Sequence, residues 1–153
     1  MPHRRSLILD AYLARLSAIP EFSAPNKVAR GRYAPIPQEF LPALTLTWAE
    51  GSETASVRPC SGSNGEDGYD RQLPLSIIVH LRDADADREF DRICVLIEQV
   101  MGRAIVIDQV IETTLRSSRL YVDPRTGLPL GAGALNYAVS YKTLAADPTI
   151  PAL

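Results

Sequence analysis

Three acidic side chains at alternate positions, Asp83, Asp85 and Asp87, are the first residues whose type and spacing could do chemistry. A calcium loop of the EF-hand kind spaces its first oxygen ligands this way. It also needs a glycine and a distal bidentate glutamate, and counting from Asp83 those places hold Arg88 and Cys94. Asp85 or Asp87 is better placed to cap a helix that starts here, a contribution of about 0.5–2 kcal/mol, with the neighbouring acids at the positive end of its dipole. His3 and His80 are the only histidines, and neither has a cysteine or carboxylate at ligand spacing. His80 is expected to be solvated or at an interface. Cys94 falls on the apolar stripe of the same helix, where a thiol is inert, and Cys60 lies in a Ser/Gly-rich stretch. The two cysteines do not read as a disulfide pair, which points to a reducing compartment. Gly131 and Gly133 in GLPLGAGAL precede a strand rather than a helix, so they read as hairpin flexibility rather than a phosphate cradle. No catalytic set, metal site or cofactor is expected, and the chain does not read as an enzyme.

The arginines stand out more. Lys27 and Lys142 are the only lysines among 16 basic residues. The planar guanidinium suits carboxylate pairing at interfaces. Arg58, Arg71, Arg116 and Arg119 are therefore the candidate protein-interface residues. Charge is also uneven along the chain. Residues 1–38 carry a net +4, whereas residues 50–71 carry five acids against two arginines, a net −3. Such polarity suits ordered contacts between copies or with a charged partner, and equally a plain solvated surface. The overall charge of −2 argues against a protein dedicated to wrapping DNA.

The elements that must hold these residues follow from hydrophobic period. Ile8, Leu9, Tyr12, Leu13, Leu16 and Ile19 form one face of a first helix, with Ser6 as its expected cap and Pro20 as its stop. Residues 21–40 contain Pro25, Pro35 and Pro37 and show no period, so an extended linker is expected there. Leu44, Leu46 and Trp48 alternate with polar and small residues as a strand. In LPLSIIVHLRDADADREFDRICVLIEQVMGR, residues 73–103, the period changes from two to 3.6. That is a strand over 73–82 running into a helix over 87–102. A strand over 111–122 follows, its alternation imperfect enough to predict an edge strand, a bulge or a face that meets a partner. DPRTGLPLG supplies a turn, and Leu135, Tyr137, Val139 and Tyr141 form one face of a last strand.

At 153 residues and 46% hydrophobic composition, one domain with one core is expected. The predicted fold class is α+β: a single antiparallel, mostly meandering β-sheet with α-helices packed on one face. Residues 50–71 read as a mobile acidic loop and residues 144–153 as a frayed tail. Asp10 and Arg15 interrupt any signal-like apolar run at the N-terminus, and no stretch is long enough to span a membrane.

The order of elements and several local stretches resemble the tail terminator family of long-tailed bacteriophages, the family of the lambda minor tail protein U. The resemblance rests on the LILDAYLARL helix, on FLPALTLTWAEGSE as a strand leaving into an acidic loop, on the strand-to-helix stretch above, and on TTLRSSRLYVDPRTGLPLGAGALNYAVSYKT as a closing pair of strands. It implies a structural phage assembly protein that caps the finished tail tube as a ring, stops polymerisation and offers the head-joining surface. The partners implied are further copies in a hexameric ring, the tail tube protein and the head–tail connector proteins. DNA would pass through the lumen without specific binding. The location implied is the virion tail, and the host cytoplasm during assembly. A head-to-tail joining or tail-completion protein is the alternative within this world. A small α+β enzyme or ligand-binding domain is the alternative outside it.

Overall fold

The computed structural model describes residues 1–32, 34, 36–82, 85–122 and 131–153. The predicted turn at Asp123, Pro124 and Gly127, and Asp83 of the acidic triplet, lie outside the described residues.

Helix α1 spans Arg4–Ser17 and buries Ile8, Leu9, Tyr12 and Leu16, the face its periodicity predicts. His3, not Ser6, caps it: the His3 Nδ1 accepts from the Arg5 backbone N–H at 3.0 Å. Helix α2 spans Ala86–Met101, with Asp85 at its N-cap position and Asp87 and Glu89 in its first turn. Phe90, Ile93, Ile97 and Met101 are its buried stripe. Full burial of each such side chain stabilises by about 1.5–3 kcal/mol relative to exposure. The C-terminal end of α2 is tied to α1. Arg15 donates to the Val100 carbonyl at 3.2 Å and also to the carbonyls of Arg103 and Ala104, so a cation sits at the negative end of the helix dipole.

Among the described residues, six strands form one sheet: β1 (Val28–Arg30), β2 (Ala43–Thr47), β3 (Thr54–Arg58), β4 (Gly68–Leu81), β5 (Val110–Val122) and β6 (Gly131–Leu144). Their order is β1-β2-β4-β6-β5, with β3 pairing to the first half of β4. Both helices lie on one face, against Leu44, Leu46, Leu73, Leu75, Ile77, Val79, Leu135, Tyr137 and Val139.

The expectation of a purely antiparallel meander needs correcting in two respects. β1 pairs with β2 in parallel, Val28 opposite Leu44, so the sheet is mixed. The connection through residues 31–42 is long enough for the return a parallel pair requires. And β6 inserts between β4 and β5, so that β4, α2 and β5 form a crossover whose middle slot the last strand fills. The β4–β6 register runs unbroken from Gly68 opposite Leu144 to Leu81 opposite Gly131.

Three other stretches are more ordered than their composition implied. Within 21–40, Pro20–Phe22 is a 3₁₀ turn that sends Phe22 into the core, and β1 follows. Within 50–71, β3 folds back on β4 as a hairpin, with Thr54 opposite Gln72 and Arg58 opposite Gly68. The connection is fixed by Ser61 Oγ donating to the Arg58 carbonyl at 3.1 Å and the Gly62 N–H donating to the Glu66 carbonyl at 2.8 Å. The 144–153 tail is not frayed. Leu144 and Ile150 bond at 3.0 Å, the Leu153 N–H donates to the Ser61 carbonyl at 2.9 Å, and Ala152 is buried. These ties are turn bonds and, for Leu153, a backbone bond to a distant segment, none of which leaves a periodic trace in sequence.

Gly133 also has a reason other than turn flexibility. It lies inside β6 facing α2, where a Cβ would stand 2.2 Å from Phe90 Cε2. The bare backbone is what lets the Phe90 ring come this close to β6.

Candidate assembly interface

Among the four arginines singled out by sequence, Arg71 is taken up internally. Glu53, with 7% of its side chain exposed, accepts from Arg5 and from the Tyr141 hydroxyl, and its Oε2 lies 3.7 Å from Arg71 Nη1. Arg71 Nε donates to Thr143 Oγ1 at 2.8 Å, and its guanidinium packs 5.3 Å from the Tyr69 ring. Arg5 stacks 4.2 Å over Trp48. Burying a carboxylate is costly unless it is paired and hydrogen-bonded, as Glu53 is here. Burial raises the Tyr141 pKa, and its bond to Glu53 raises it further, so the phenol stays protonated as donor. Glu53 is a residue that sequence reasoning passed over as one of several loop acids, and no local pattern distinguishes it.

Arg58 is closer to the surface. Its Nη1 lies 3.4 Å from Asp70 Oδ1, a cross-strand pair with both side chains nearly half exposed. Such a pair stabilises little, but it neutralises one acid and one base of the hairpin.

Arg116 and Arg119 lie on the other side of the sheet, on β5. The register of β5 against β6 shifts between Val110 and Glu112 and again between Leu115 and Ser117. Arg116 is the extra residue of the second bulge, so the irregular alternation of 111–122 does mark an edge strand with bulges. Arg119 stacks on Tyr121 with 4.7 Å to the ring centroid. This edge exposes large apolar side chains: Ile111 is 59% exposed, Leu115 40% and Tyr121 46%. Exposed apolar residues on an unpaired strand edge are a feature soluble proteins otherwise avoid.

The sheet face opposite the helices is polar and small. Ser76 Oγ donates to Asn136 Oδ1 at 2.7 Å, and Asn136 Nδ2 donates to Ser117 Oγ at 3.0 Å, a ladder across β4, β6 and β5. Thr45 Oγ1 and His80 Nε2 bond at 2.9 Å on the same face. His80 is therefore half-buried and bonded rather than solvated, and its pKa is lowered by burial and then by the Arg32 charge. A groove of about 540 Å³ crosses this face, with Glu50 and Pro74 towards one side and Arg119 and Tyr121 towards the other. Cys94 is half-buried on α2, and burial, with Glu98 and Asp91, pushes its thiol up to about 11. A thiol held protonated is a poor nucleophile. Among the described residues, no three His, Cys, Asp or Glu side chains converge to hold a metal ion, and no helix is long and apolar enough to cross a membrane.

The structure thus divides the four arginines. Arg58 and Arg71 belong to the β3–β4 hairpin, and Arg116 and Arg119 to the opposite edge, with β4 and β6 between them. No family model matches the chain, and no curated protein matches it in sequence. Among solved structures, the fold is similar to that of a chain in the virion of a native gene transfer agent particle, with a TM-score of 0.60 at 10% identity. That similarity covers 88% of this chain and 94% of the other. At this identity it is a likeness of fold.

Proposed function

We propose that the chain is a non-enzymatic structural protein of a phage-like virion, and specifically a tail terminator. In this reading copies of the chain form a closed ring, hexameric by the family resemblance, on the end of the completed tail tube. The ring stops further polymerisation and presents the surface to which the head–tail connector proteins join. It works in the virion tail after assembly in the host cytoplasm, and DNA passes through its lumen without specific binding.

The observation that supports this reading is the similarity of fold, over most of the chain, to a chain in the gene transfer agent virion. Two physical features support it. The sheet carries unlike strands on its two sides, β3 with its acidic flanks beside β4 on the side of β1 and β2, and β5 with its arginines on the other, as a heterologous ring contact requires. And β5 leaves apolar side chains uncovered in the single chain.

Electron microscopy of the purified protein, alone and mixed with purified tail tubes, tests the reading. Rings that cap tubes and arrest their growth support it. A strict monomer that leaves tubes uncapped overturns it. Deletion from the phage separates the neighbouring role: overlong tubes mark a terminator, whereas normal tails lacking heads would assign the chain to head-to-tail joining.

A further inference from the structure

We propose that the outward edge of β5, over Ser117–Tyr121, pairs antiparallel with β3 of a second copy of this chain, Arg119 opposite Ser56, so that copies add head to tail. This rests on the ring reading above and names the surfaces that would close it.

The argument starts from strand directions. β3 is antiparallel to β4, β4 to β6, and β6 to β5. Direction therefore alternates across the four strands, and a second copy placed with its β3 beside β5 continues the alternation. The two edges lie on opposite sides, because β6 occupies the whole of the other side of β4.

Length and face agree as well. The bulge at Arg116 interrupts β5, and beyond it Ser117–Tyr121 runs in unbroken register against Asn136–Ala132. That run matches the five residues of β3. With Arg119 opposite Ser56, Val57 falls opposite Ser118 and Ala55 opposite Leu120. Val57 and Ala55 share the helix-side face with Tyr69 and Arg71, and Ser118 and Leu120 share it with Leu135 and Gly133. The helix layers of the two copies then stay on one side of a continuous sheet. Val57, 63% exposed in the single chain, becomes covered. A one-residue slip would reverse every side chain, so this agreement of faces is a real constraint.

Charge points the same way. Among the described residues, neither Arg116 nor Arg119 has a carboxylate partner. Around β3, Arg58 pairs with Asp70, and Arg5 and Arg71 share the single carboxylate of Glu53, while Glu50, Glu66 and Asp67 make no ion pair among the described residues. In the proposed register Arg119 faces the small Ser56, whose neighbour across β3–β4 is Asp70, and Arg58, which already pairs with Asp70, falls opposite Ser117 on the same face. Each added copy leaves one β5 and one β3 free until the ring closes.

The test uses cross-linking in the full chain. Cys60→Ser removes the exposed thiol, while Cys94 stays half-buried. Val57→Cys and Ser118→Cys are then introduced together at exposed positions and treated with a short bis-maleimide. The expected result is a ladder of covalent species that ends at the ring's subunit count, with a mixture of the two single variants giving dimers only. Rings in micrographs without a ladder overturn this interface and leave the ring reading standing. A monomer with neither rings nor ladder overturns both, and would mean that the charges and bulges of β5 only guard an edge.

Discussion

Glu53 Oε2 lies 3.7 Å from Arg71 Nη1 inside a cluster that also draws on Arg5, Tyr141 and Trp48. That relationship removes Arg71 from the arginines free to meet another chain. It also fastens the entry of the β3 hairpin to α1, β4 and β6. Glu53→Ala should leave two partly buried guanidiniums without their acid. The expected cost is about 3 kcal/mol, as for other broken buried pairs, read as a lower urea midpoint at unchanged slope.

Gly133→Ala should destabilise by about 1–3 kcal/mol through overpacking, because the new methyl meets the Phe90 ring. The same change combined with Phe90→Leu should cost less than the sum of the two single changes. Additive costs in that double-mutant cycle would show that the ring is not what the glycine accommodates.

Ile97→Asp places a carboxylate at a position with no solvent exposure, and soluble folded protein should be lost. Arg119→Glu changes an exposed edge residue. Its thermal midpoint should stay within about 2 °C of the parent, as expected for a surface change of a few tenths of a kcal/mol, while ring formation in micrographs is lost. Normal rings from Arg119→Glu would remove this residue from the interface.

His80 sets an expected pH dependence. Burial, then Arg32, holds its pKa below the ordinary value of 6.5, so the unfolded chain takes up the proton first. Stability should be full above that value and fall as the pH drops from 6.5 through the lowered folded value. His80→Gln removes the titration, and its stability relative to the parent should rise across that window. A difference between the two proteins that stays constant from neutral pH to below the window would exclude His80 as the cause.

Much of the scaffold was legible in residue order. The change of period across residues 73–103 locates β4 and α2, and the faces of α1 and β6 are written in Ile8, Leu9, Tyr12 and Leu16 and in Leu135, Tyr137, Val139 and Tyr141. The imperfect alternation of 111–122 was open to an edge strand, a bulge or a partner-facing strand, and β5 is an edge strand with bulges. β3 was not legible, because its exposed residues carry no apolar alternation and it pairs with the start of β4. Nor was the mixed character of the sheet, since three residues at Val28–Arg30 give no period to read.

For the candidate interface the division is the same. Sequence by itself determined which residues are apolar at helix or strand spacing, and therefore which faces are buried, because that property depends on neighbours a few positions away. It also marked Arg116 and Arg119 as arginines on an irregular strand. Only the tertiary structure decided that Arg71 is spent on Glu53 while Arg119 is not, and that the β3 hairpin and β5 lie at opposite edges with matching direction. Those facts arise from pairings between segments far apart in the chain. A charge is available to a partner only after every distant group that could neutralise it has been placed.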